Sequence, residues 1–397
     1  MSNDRYLRHT QIDGLSQDAL GASSVLVLGA GAIGNEVVKN LALLGCGRIT
    51  IVDRDRVERH NLTRSVLLRE ADIGRDKASA VAERASALDP AVGVEPVVGD
   101  LFRCLGPDTV RAHDVVIGAL DNFEARIRAN QLCLLSAVPY VDAAIDARAA
   151  SVSVFPFAAG RPVACYECGL PASVHRRLAE RMGCGGLLRA ALAERIMPTT
   201  TLTSSIAAAF AVGEALKLAG CDQRVSAPTQ AGRIFIDSLT GNAQRSGLAP
   251  ADLCPGCGLL PSPARWLGRA GSIDGALALF DDPRGRRTYR FSDPLVWGCA
   301  CTRCAREPAG GRFVGRRAAA LSEAITRCAH CATTSVLVEV RDQADGAALR
   351  ERFADRLPES VWLLDDDRLV GLDGSHGPVR ADEPSCTDSN AHPRRSA

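Results

Sequence analysis

The stretch that most constrains the fold is the apolar run Val25 to Leu28, which leads directly into the glycine pattern Gly29-x-Gly31-x-x-Gly34. Gly29 permits a tight turn from strand to helix, Gly31 lets the backbone approach a phosphate, and Gly34 lets helix and strand pack closely. The N-terminus of the following helix would then face negative charge. The pattern predicts a nucleotide-phosphate site at the start of a doubly wound α/β domain.

A second predicted strand, Ile49–Asp53, ends in a carboxylate that is placed to hold ribose hydroxyls. This unit alone fits a dinucleotide oxidoreductase as well as any other doubly wound nucleotide enzyme. Further alternation of strands and helices extends the parallel sheet, and antiparallel strands follow it. The predicted strands are Val94–Val98, Val115–Leu120, one that starts at Pro139, Ser151–Phe155 and Arg233–Asp237; the predicted helices are Arg75–Leu88, Phe123–Ala137 and Ser204–Leu218.

The balance of charge argues against nucleic acid and anionic membranes as partners, because 47 basic and 46 acidic side chains among 397 residues leave a formal charge of +1. No apolar run reaches the roughly 18 residues that a membrane span needs, and the N-terminus has no signal-peptide core. We therefore expect a cytoplasmic protein. In that reducing compartment, fifteen cysteines favour metal-binding or catalytic roles over disulfides.

Charged side chains after Asp53 distinguish an adenylating enzyme from a hydride-transferring one. Attack of a carboxylate on the α-phosphate of ATP brings two anions together, so cations must neutralise the phosphates and a carboxylate must hold Mg²⁺. Arg64, Lys77 and Asp121 supply these functions, whereas hydride transfer has no need for them. Their sequence context is Asp53-x-Asp55, Asn61-Leu-x-Arg64, Gly74-x-x-Lys77 and Asp121-Asn122-x-x-x-Arg126. We predict ATP and Mg²⁺ as cofactors.

From Arg5 to about Cys257 the sequence resembles the ThiF/MoeB/HesA superfamily, the ATP-dependent activators of ubiquitin-like proteins and bacterial sulfur-carrier proteins. The resemblance rests on Arg5-Tyr-x-Arg8, the glycine pattern, the four motifs above and two separated Cys-x-x-Cys pairs. It implies that Arg8 reaches the ATP site of the opposite subunit in a homodimer. For the cofactor site it implies that Asp53 binds the ribose and that Asp121 binds Mg²⁺. The residues expected to bind the phosphates are Asn61, Arg64 and Lys77. Asp55 and Asn122 belong to the same motifs and are expected in the same cofactor site.

The paired cysteines have the form of closed tetrathiolate zinc sites, which are structural. The first set is Cys165, Cys168, Cys254 and Cys257, for which the alternative is four reduced, buried thiols. The second set is Cys301, Cys304, Cys328 and Cys331, where Cys299 or His330 is an alternative ligand. A small C-terminal module would struggle to build a core, so a metal staple is expected there.

These patterns divide the chain into four parts. Residues 1–258 form an adenylation domain with a mostly parallel, Rossmann-like sheet, zinc knuckles and a crossover loop at about 169–203. A linker at 259–275 precedes a smaller, zinc-ribbon-like α+β module at 276–373. The last part, 374–397, is predicted to be a disordered tail because Ser, Pro, Asp and His dominate it.

Cys184 is the predicted nucleophile for a step after adenylation. It lies among Gly183, Gly185 and Gly186, in a region that resembles the crossover loop where thioester- or persulfide-forming members of the superfamily carry their reactive cysteine. Nearby arginines, Arg176, Arg177 and Arg181, would favour the thiolate. The alternative is a mobile loop thiol without a role.

Two enzyme functions and one non-enzyme function remain open. The first is activation of a ubiquitin-like modifier by adenylation and thioester formation, with transfer to a conjugating enzyme. The second is adenylation of a sulfur-carrier protein, and the third is a non-catalytic scaffold, against which the intact Arg64, Lys77 and Asp121 argue. The extra four-cysteine module and the long Cys168–Ser204 insert favour the first. The Ala- and Arg-rich composition suggests a bacterial protein. The superfamily includes activating enzymes that are encoded in bacterial operons for ubiquitin-like conjugation, and several of these operons act in antiphage defence.

Overall fold

The computed structural model describes residues 4–159, 163–171, 173–174, 199–306, 314–318, 328, 330–331, 336–354, 357–358 and 361–372. The chain divides into two compact units, Met1–Trp266 with Asp366–Arg368, and Leu267–Asp365 with Leu369–Ala397. Each unit has its own sheet and apolar core. Among the described residues, none of the helices combines the length and apolar character that a membrane crossing requires.

The first unit is built on an eight-stranded sheet in the order β3-β2-β1-β4-β5-β6-β7-β8. Its first five strands pair in parallel and the last three join antiparallel, which confirms the predicted α/β class. The strands are β1 (Ser24–Leu28), β2 (Arg48–Asp53), β3 (Gly93–Val98), β4 (Val115–Gly118), β5 (Tyr140–Ile145), β6 (Ala149–Phe155), β7 (Gly232–Asp237) and β8 (Ala243–Gly247).

Several helices of this unit begin at residues whose side chains cap them. Asn122 and Thr200 each accept a backbone N–H at the start of a helix, and Gly45 ends the second helix in the left-handed conformation. The α-helices are α1 (Gln17–Ala22), α2 (Ala32–Leu44), α3 (Lys77–Leu88), α4 (Leu101–Cys104), α5 (Pro107–Arg111), α6 (Phe123–Ser136) and α7 (Thr201–Leu218). Short 3-10 helices cover Asp4–Tyr6, Arg59–Thr63, Glu70–Asp72 and Tyr166–Gly169.

Helices α2 and α7 pack against each other over the sheet. The small side chains of Ala207, Ala208 and Ala211 let α7 approach closely, and with Val37 and Val38 of α2 they belong to the main core. Burying such side chains contributes roughly 25 cal/mol per Å² of apolar surface. The packing fixes the direction in which α2 leaves the glycine pattern.

The N-terminal arm is anchored at the far end of α2 from the glycine pattern. The guanidinium of Arg5 lies 2.8 Å from the carboxylate of Asp89, and the buried Tyr6 hydroxyl also donates to Asp89. A Cβ at Gly45, directly after α2, would clash with the ring of Tyr6. Because α2 has 13 residues, the arm lies about 20 Å along the helix from the glycine pattern.

The second unit contains a five-stranded sheet in the order β11-β10-β12-β13-β9. Phe280, Tyr289, Leu349 and Leu363 are among the buried side chains of its core. The strands are β9 (Arg265–Ala270), β10 (Thr288–Cys301), β11 (Val336–Asp345), β12 (Val361–Asp365) and β13 (Arg368–Leu372); the helices are α8 (Ile273–Leu279) and α9 (Gly346–Arg352).

The predicted linker at 259–275 is wrong for most of its length. Strand β9 and the first turn of α8 occupy it, because Ala270 and Ile273 are buried in the second core and Leu267 packs against it. The glycines in this stretch suggested a linker, yet Gly268 is part of the strand, at φ +125°. Most of the predicted crossover loop and the whole predicted tail at 374–397 lie outside the described residues.

Candidate functional site

The carboxyl ends of three neighbouring strands form one edge of the first sheet. Leu28 of β1 is in register with Val52 of β2 on one side and with Gly118 of β4 on the other. The chain keeps this alignment beyond the strands, since the N–H of Gly29 donates to the carbonyl of Val52 at 2.8 Å. The loops that follow the three strands therefore meet at a crevice of the type that binds ligands in doubly wound sheets.

The three glycines of the pattern differ in what surrounds them. Gly29 has φ +98°, and a Cβ there would clash with the carbonyl of Ala119 in the loop after β4. A Cβ at Gly34 would overlap the carbonyl of Gly29, so only glycine allows α2 this close to the loop. Gly31, the N-cap of α2, has open space where its Cβ would lie. The loop is thus packed on one side and open at the helix N-terminus, where a phosphate would bind.

Asp53 is tied to this loop by its carboxylate. One oxygen accepts the N–H of Ala30 at 2.6 Å and the other accepts the N–H of Asp55 at 2.7 Å. Burial raises the pKa of Asp53, and these two donors oppose that shift. Each oxygen retains a further lone pair, so the carboxylate can still accept a ribose hydroxyl in the predicted role.

Lys77 lies beside Asp53 through its pairing with Asp55. The ammonium is 3.0 Å from the Asp55 carboxylate, and the Lys77 N–H donates to the Asp55 carbonyl at 2.9 Å. The side chain is only 12% exposed and starts α3, so its position is fixed by the helix. The structure brings Asp53, Asp55, Lys77 and the glycine loop together at this edge.

Asn61 and Arg64 lie in the turn that follows β2. The buried Asn61 accepts the N–H of Glu58 at 2.9 Å, and its amide nitrogen is 3.1 Å from the ring of His60. Arg64 is partly exposed and donates to the carbonyl of His60 at 2.8 Å. Asn61 therefore shapes the turn that presents Arg64, and its predicted contact with phosphate stays a prediction.

Asp121 and Asn122 are exposed in the loop after β4. Asn122 caps α6 by accepting the N–H of Ala125 at 2.8 Å, and its amide donates to Asp121 at 3.0 Å. Arg126 holds the same loop by donating to the carbonyl of Leu120 and pairing with the buried Asp142 at 2.6 Å. Asn122 thus orients Asp121, whose carboxylate remains available for a cation.

A magnesium ion fits Asp121 only if other ligands come from the nucleotide. Among the described side chains, Asp121 belongs to no cluster of three or more metal-ligating groups. Mg²⁺ commonly binds through one or two carboxylates, substrate phosphates and water, so a single exposed carboxylate beside the phosphate loop suits it.

One predicted catalytic residue, Arg8, lies away from this edge. Arg8 is exposed on the arm, at the other end of α2, and makes no hydrogen bond or ion pair with any residue that the structure describes. Cys184 lies outside the described residues.

Asn35 is a site residue that the sequence analysis missed. It is wholly buried in the first turn of α2, where its amide donates to the carbonyls of Ala30 at 2.7 Å and Gly31 at 3.0 Å. Its oxygen accepts the N–H of Leu67 at 3.1 Å, three residues after Arg64. The position of this polar residue, directly after the last glycine of the pattern, was the available indication in the sequence.

The first cysteine set converges as predicted, with four sulfurs within 4.8 Å of one another. Cys165 and Cys254 are 3.5 Å apart, and Cys168 and Cys257 are 3.4 Å apart. A zinc ion bound by four sulfurs at about 2.3 Å would set them about 3.8 Å apart. The N–H of Ala251 also donates to Cys168 at 3.4 Å, which favours a thiolate. The donor set therefore fits a structural zinc ion.

The second cysteine set converges in the same way within the other unit. Sulfur distances are 3.5 Å for Cys301–Cys331 and 3.7 Å for Cys304–Cys328. The backbone N–H of Cys304 and, less strongly, that of Arg303 lower the pKa of Cys301 to about 6. These four cysteines complete the cluster, so the alternative ligands Cys299 and His330 are not needed.

Several known proteins are similar to part of this chain. Over 145 residues it is 38% identical to the SAMP-activating enzyme E1 of Haloferax volcanii, a match covering 36% of this chain and 54% of that protein. Over 173 residues it is 37% identical to the sulfur carrier protein adenylyltransferase of Thermus thermophilus, covering 42% and 64%. These matches thus span between about half and two thirds of each relative's length.

A solved structure of E. coli MccB with ATP superposes with a TM-score of 0.52 and 25% identity, covering 65% of this chain and 75% of that one. The ThiF family matches residues 4–256, which include every residue of the nucleotide crevice described above. This match takes in more than half of the chain and confirms the resemblance carried by the sequence motifs. The chain belongs to the ThiF family.

Proposed function

We propose that this protein is an ATP-dependent adenylyltransferase that activates the C-terminal carboxylate of a ubiquitin-like or sulfur-carrier protein. The observation that carries the proposal is the joining of the glycine loop, Asp53 and the Lys77–Asp55 pair at one crevice, next to the loop of Asp121. The names of the two relatives, an E1 enzyme and a sulfur carrier adenylyltransferase, support the same chemistry.

In this reaction a carboxylate oxygen of the carrier bonds to the α-phosphorus of ATP, and the bond to the leaving pyrophosphate breaks. The open N-terminus of α2 and the cations of Lys77 and Arg64 would offset the charge that develops on the phosphates. Asp121 would hold Mg²⁺, which neutralises the pyrophosphate as it leaves. Asp53 would fix the ribose and so the position of the α-phosphate.

Replacing Asp121 with Asn should reduce ATP–pyrophosphate exchange by about 100-fold or more, since the cation ligand is lost while the exposed loop keeps its shape. Exchange is measured with purified protein, Mg²⁺, labelled pyrophosphate and candidate carriers encoded beside the gene. Asp18→Asn, an exposed acid on α1, is the matched control and should retain wild-type exchange. Near-normal exchange by the Asp121 variant would show that Asp121 does not take part in the reaction.

We further propose that the carrier is a ubiquitin-like modifier, which passes from the adenylate to a thioester on Cys184 and then to a conjugating enzyme. The second unit with its own cysteine cluster, outside the ThiF match, supports this over a simple sulfur-carrier adenylyltransferase. The relative from Thermus supports the sulfur-carrier alternative. A cytoplasmic location and a bacterial antiphage operon remain predictions.

Replacing Cys184 with Ala should leave pyrophosphate exchange nearly unchanged and abolish a reductant-sensitive adduct with the modifier, because adenylation uses other residues. The adduct is followed on non-reducing gels, and Cys104→Ala serves as a control with a partly buried thiol outside both clusters. If the alanine variant still forms the adduct, another cysteine is the nucleophile. Strong exchange without any adduct in wild type would favour the sulfur-carrier alternative.

We also propose a homodimer in which Arg8 completes the ATP site of the other copy. The arm that carries Arg8 is anchored about 20 Å along α2 from its own glycine loop, farther than one side chain reaches. A second copy could bring the two together. Helix α7 offers a surface for this, because it exposes Leu202 and Phe210 and its only charged residues, Glu214 and Lys217, lie near its end.

The course of α7 fits such a dimer. At its start Ser205 donates to Glu36 at 2.9 Å, near the glycine loop, and just past its end Cys221 accepts the N–H of Ser16, near the arm. Antiparallel packing of α7 on its copy about a two-fold axis would place each arm beside the other copy's nucleotide end. A groove of about 480 Å³, lined in part by Phe210 and Gly213, would accept side chains of the second copy.

Arg8→Ala should lose exchange, and mixing it with Asp121→Asn should restore about a quarter of wild-type activity, because half of the dimers are mixed and each holds one intact site. The exchange assay is repeated over mixing ratios, with sedimentation to confirm the dimer. Arg148→Ala, which removes an exposed arginine paired with Asp237, is the control. No recovery on mixing would place Arg8 outside the partner's site.

The two cysteine clusters are proposed to hold one structural zinc ion each, so the purified protein should contain about two zinc ions per chain. Cys257→Ser and Cys304→Ser should each remove one of them, because a tetrathiolate site loses affinity with one ligand missing. Plasma mass spectrometry measures the content, and Cys104→Ser should leave it unchanged. Wild-type protein that lacks zinc after growth in zinc-supplemented medium would contradict the assignment.

A further inference from the structure

Asn35 connects the two segments of the nucleotide crevice that must act together. Its amide nitrogen donates to the carbonyls of Ala30 and Gly31 in the glycine loop, and its oxygen accepts the N–H of Leu67 in the segment after Arg64. The side chain is wholly buried, so water does not compete for these bonds. All three bonds can form only while the loop and the Arg64 segment keep their present spacing.

The direction of these bonds determines which way the backbone N–H groups of the glycine loop point. In a planar trans peptide, the carbonyl and the N–H of the same unit point in opposite directions. The Asn35 side chain holds the carbonyl of Ala30 toward the helix, and its side chain and backbone N–H together hold that of Gly31. The N–H groups of Gly31 and Ala32 are therefore directed away from the helix. The open space beside Gly31 lies at this N-terminal end of α2.

We infer that Asn35 is a positioning residue for ATP: it sets the orientation of two phosphate-facing N–H groups and ties the Arg64 segment to the same loop. The inference rests on the proposed function of the crevice but concerns nucleotide binding before any transfer. Asp53 fixes the loop from the sheet side through Ala30, and Asn35 fixes it from the helix side.

The alternative is that Asn35 only stabilises the fold, and the chain contains a matched residue that separates the two roles. Asn130 in α6 is also wholly buried, and its oxygen accepts the N–H of a distant residue, Tyr166, at 2.8 Å. Asn130 supports the segment of the first cysteine cluster and makes no described contact with the glycine loop. Both substitutions remove a buried amide from a helix, and only one removes it from the crevice.

The test compares Asn35→Ala with Asn130→Ala in full-length protein by calorimetric titration with ATP and Mg²⁺. We expect the Kd for ATP to rise about tenfold or more for Asn35→Ala and to stay within twofold of wild type for Asn130→Ala, although both lower the melting temperature. Asn35→Ser should bind ATP with intermediate affinity, because its hydroxyl can donate to the carbonyl four residues earlier, that of Gly31, yet is too short to bridge to Leu67. If Asn35→Ala does not fold, Asn35→Ser and Asn130→Ser replace the pair.

A folded Asn35 variant with wild-type affinity, or an equal loss of affinity in the Asn130 variant, would overturn the inference. Titration measures ATP binding alone, so its result does not depend on the proposed adenylation reaction. Wild-type protein that binds ATP but exchanges no pyrophosphate with any carrier would refute the adenylyltransferase proposal while the comparison of Asn35 with Asn130 still stands. Wild-type protein that does not bind ATP would refute both.

Discussion

Parallel pairing of β1 with β2 on one side and β4 on the other is the constraint on which the crevice depends. It aligns Leu28 with Val52 and with Gly118, so three loops that are far apart in sequence emerge side by side. The loops then stabilise one another, since the Asp53 carboxylate at the end of β2 accepts the N–H of Ala30 and the loop after β4 packs against Gly29. A change in the register of any of the three strands would separate these groups, which is why the core beneath them is dense and apolar.

The sequence predicted the parts of the site that local rules control. The glycine pattern, the carboxylate at the end of β2 and the lysine at the start of α3 each have a spacing fixed by strand and helix geometry. It did not distinguish residues that face the crevice from residues that shape it. Asn122 and Arg126 belong to one motif with Asp121, yet the structure uses them for a helix cap and a buried ion pair. Asn35 was missed, because its partner Leu67 is brought to it only by the fold.

For the cysteines and the second unit as well, the sequence predicted the features that neighbouring residues determine and missed those that depend on distant residues. Each Cys-x-x-Cys turn can be recognised from its own sequence, and two such pairs predicted one site although Cys165 and Cys254 are 89 residues apart in the chain. The linker prediction failed at β9 because glycine and proline content describes the chain locally, whereas that strand exists only where a five-stranded sheet accepts it. The 14-residue strand β10 was missed for a related reason, since Asp293 and Pro294 interrupt its pattern at the irregularity in its pairing with β11.

The anchoring of the N-terminal arm has a consequence for how activity would respond to protein amount. Tyr6 and Arg5 hold the arm against Asp89, so within a single copy the arm that carries Arg8 lies about 20 Å along α2 from the glycine loop. If that arginine serves a neighbour, a dilute solution contains chains that are folded but inactive. Below the dissociation constant of the pair, turnover would then grow with the square of the chain concentration, and a cell would set a threshold for activation through expression level alone.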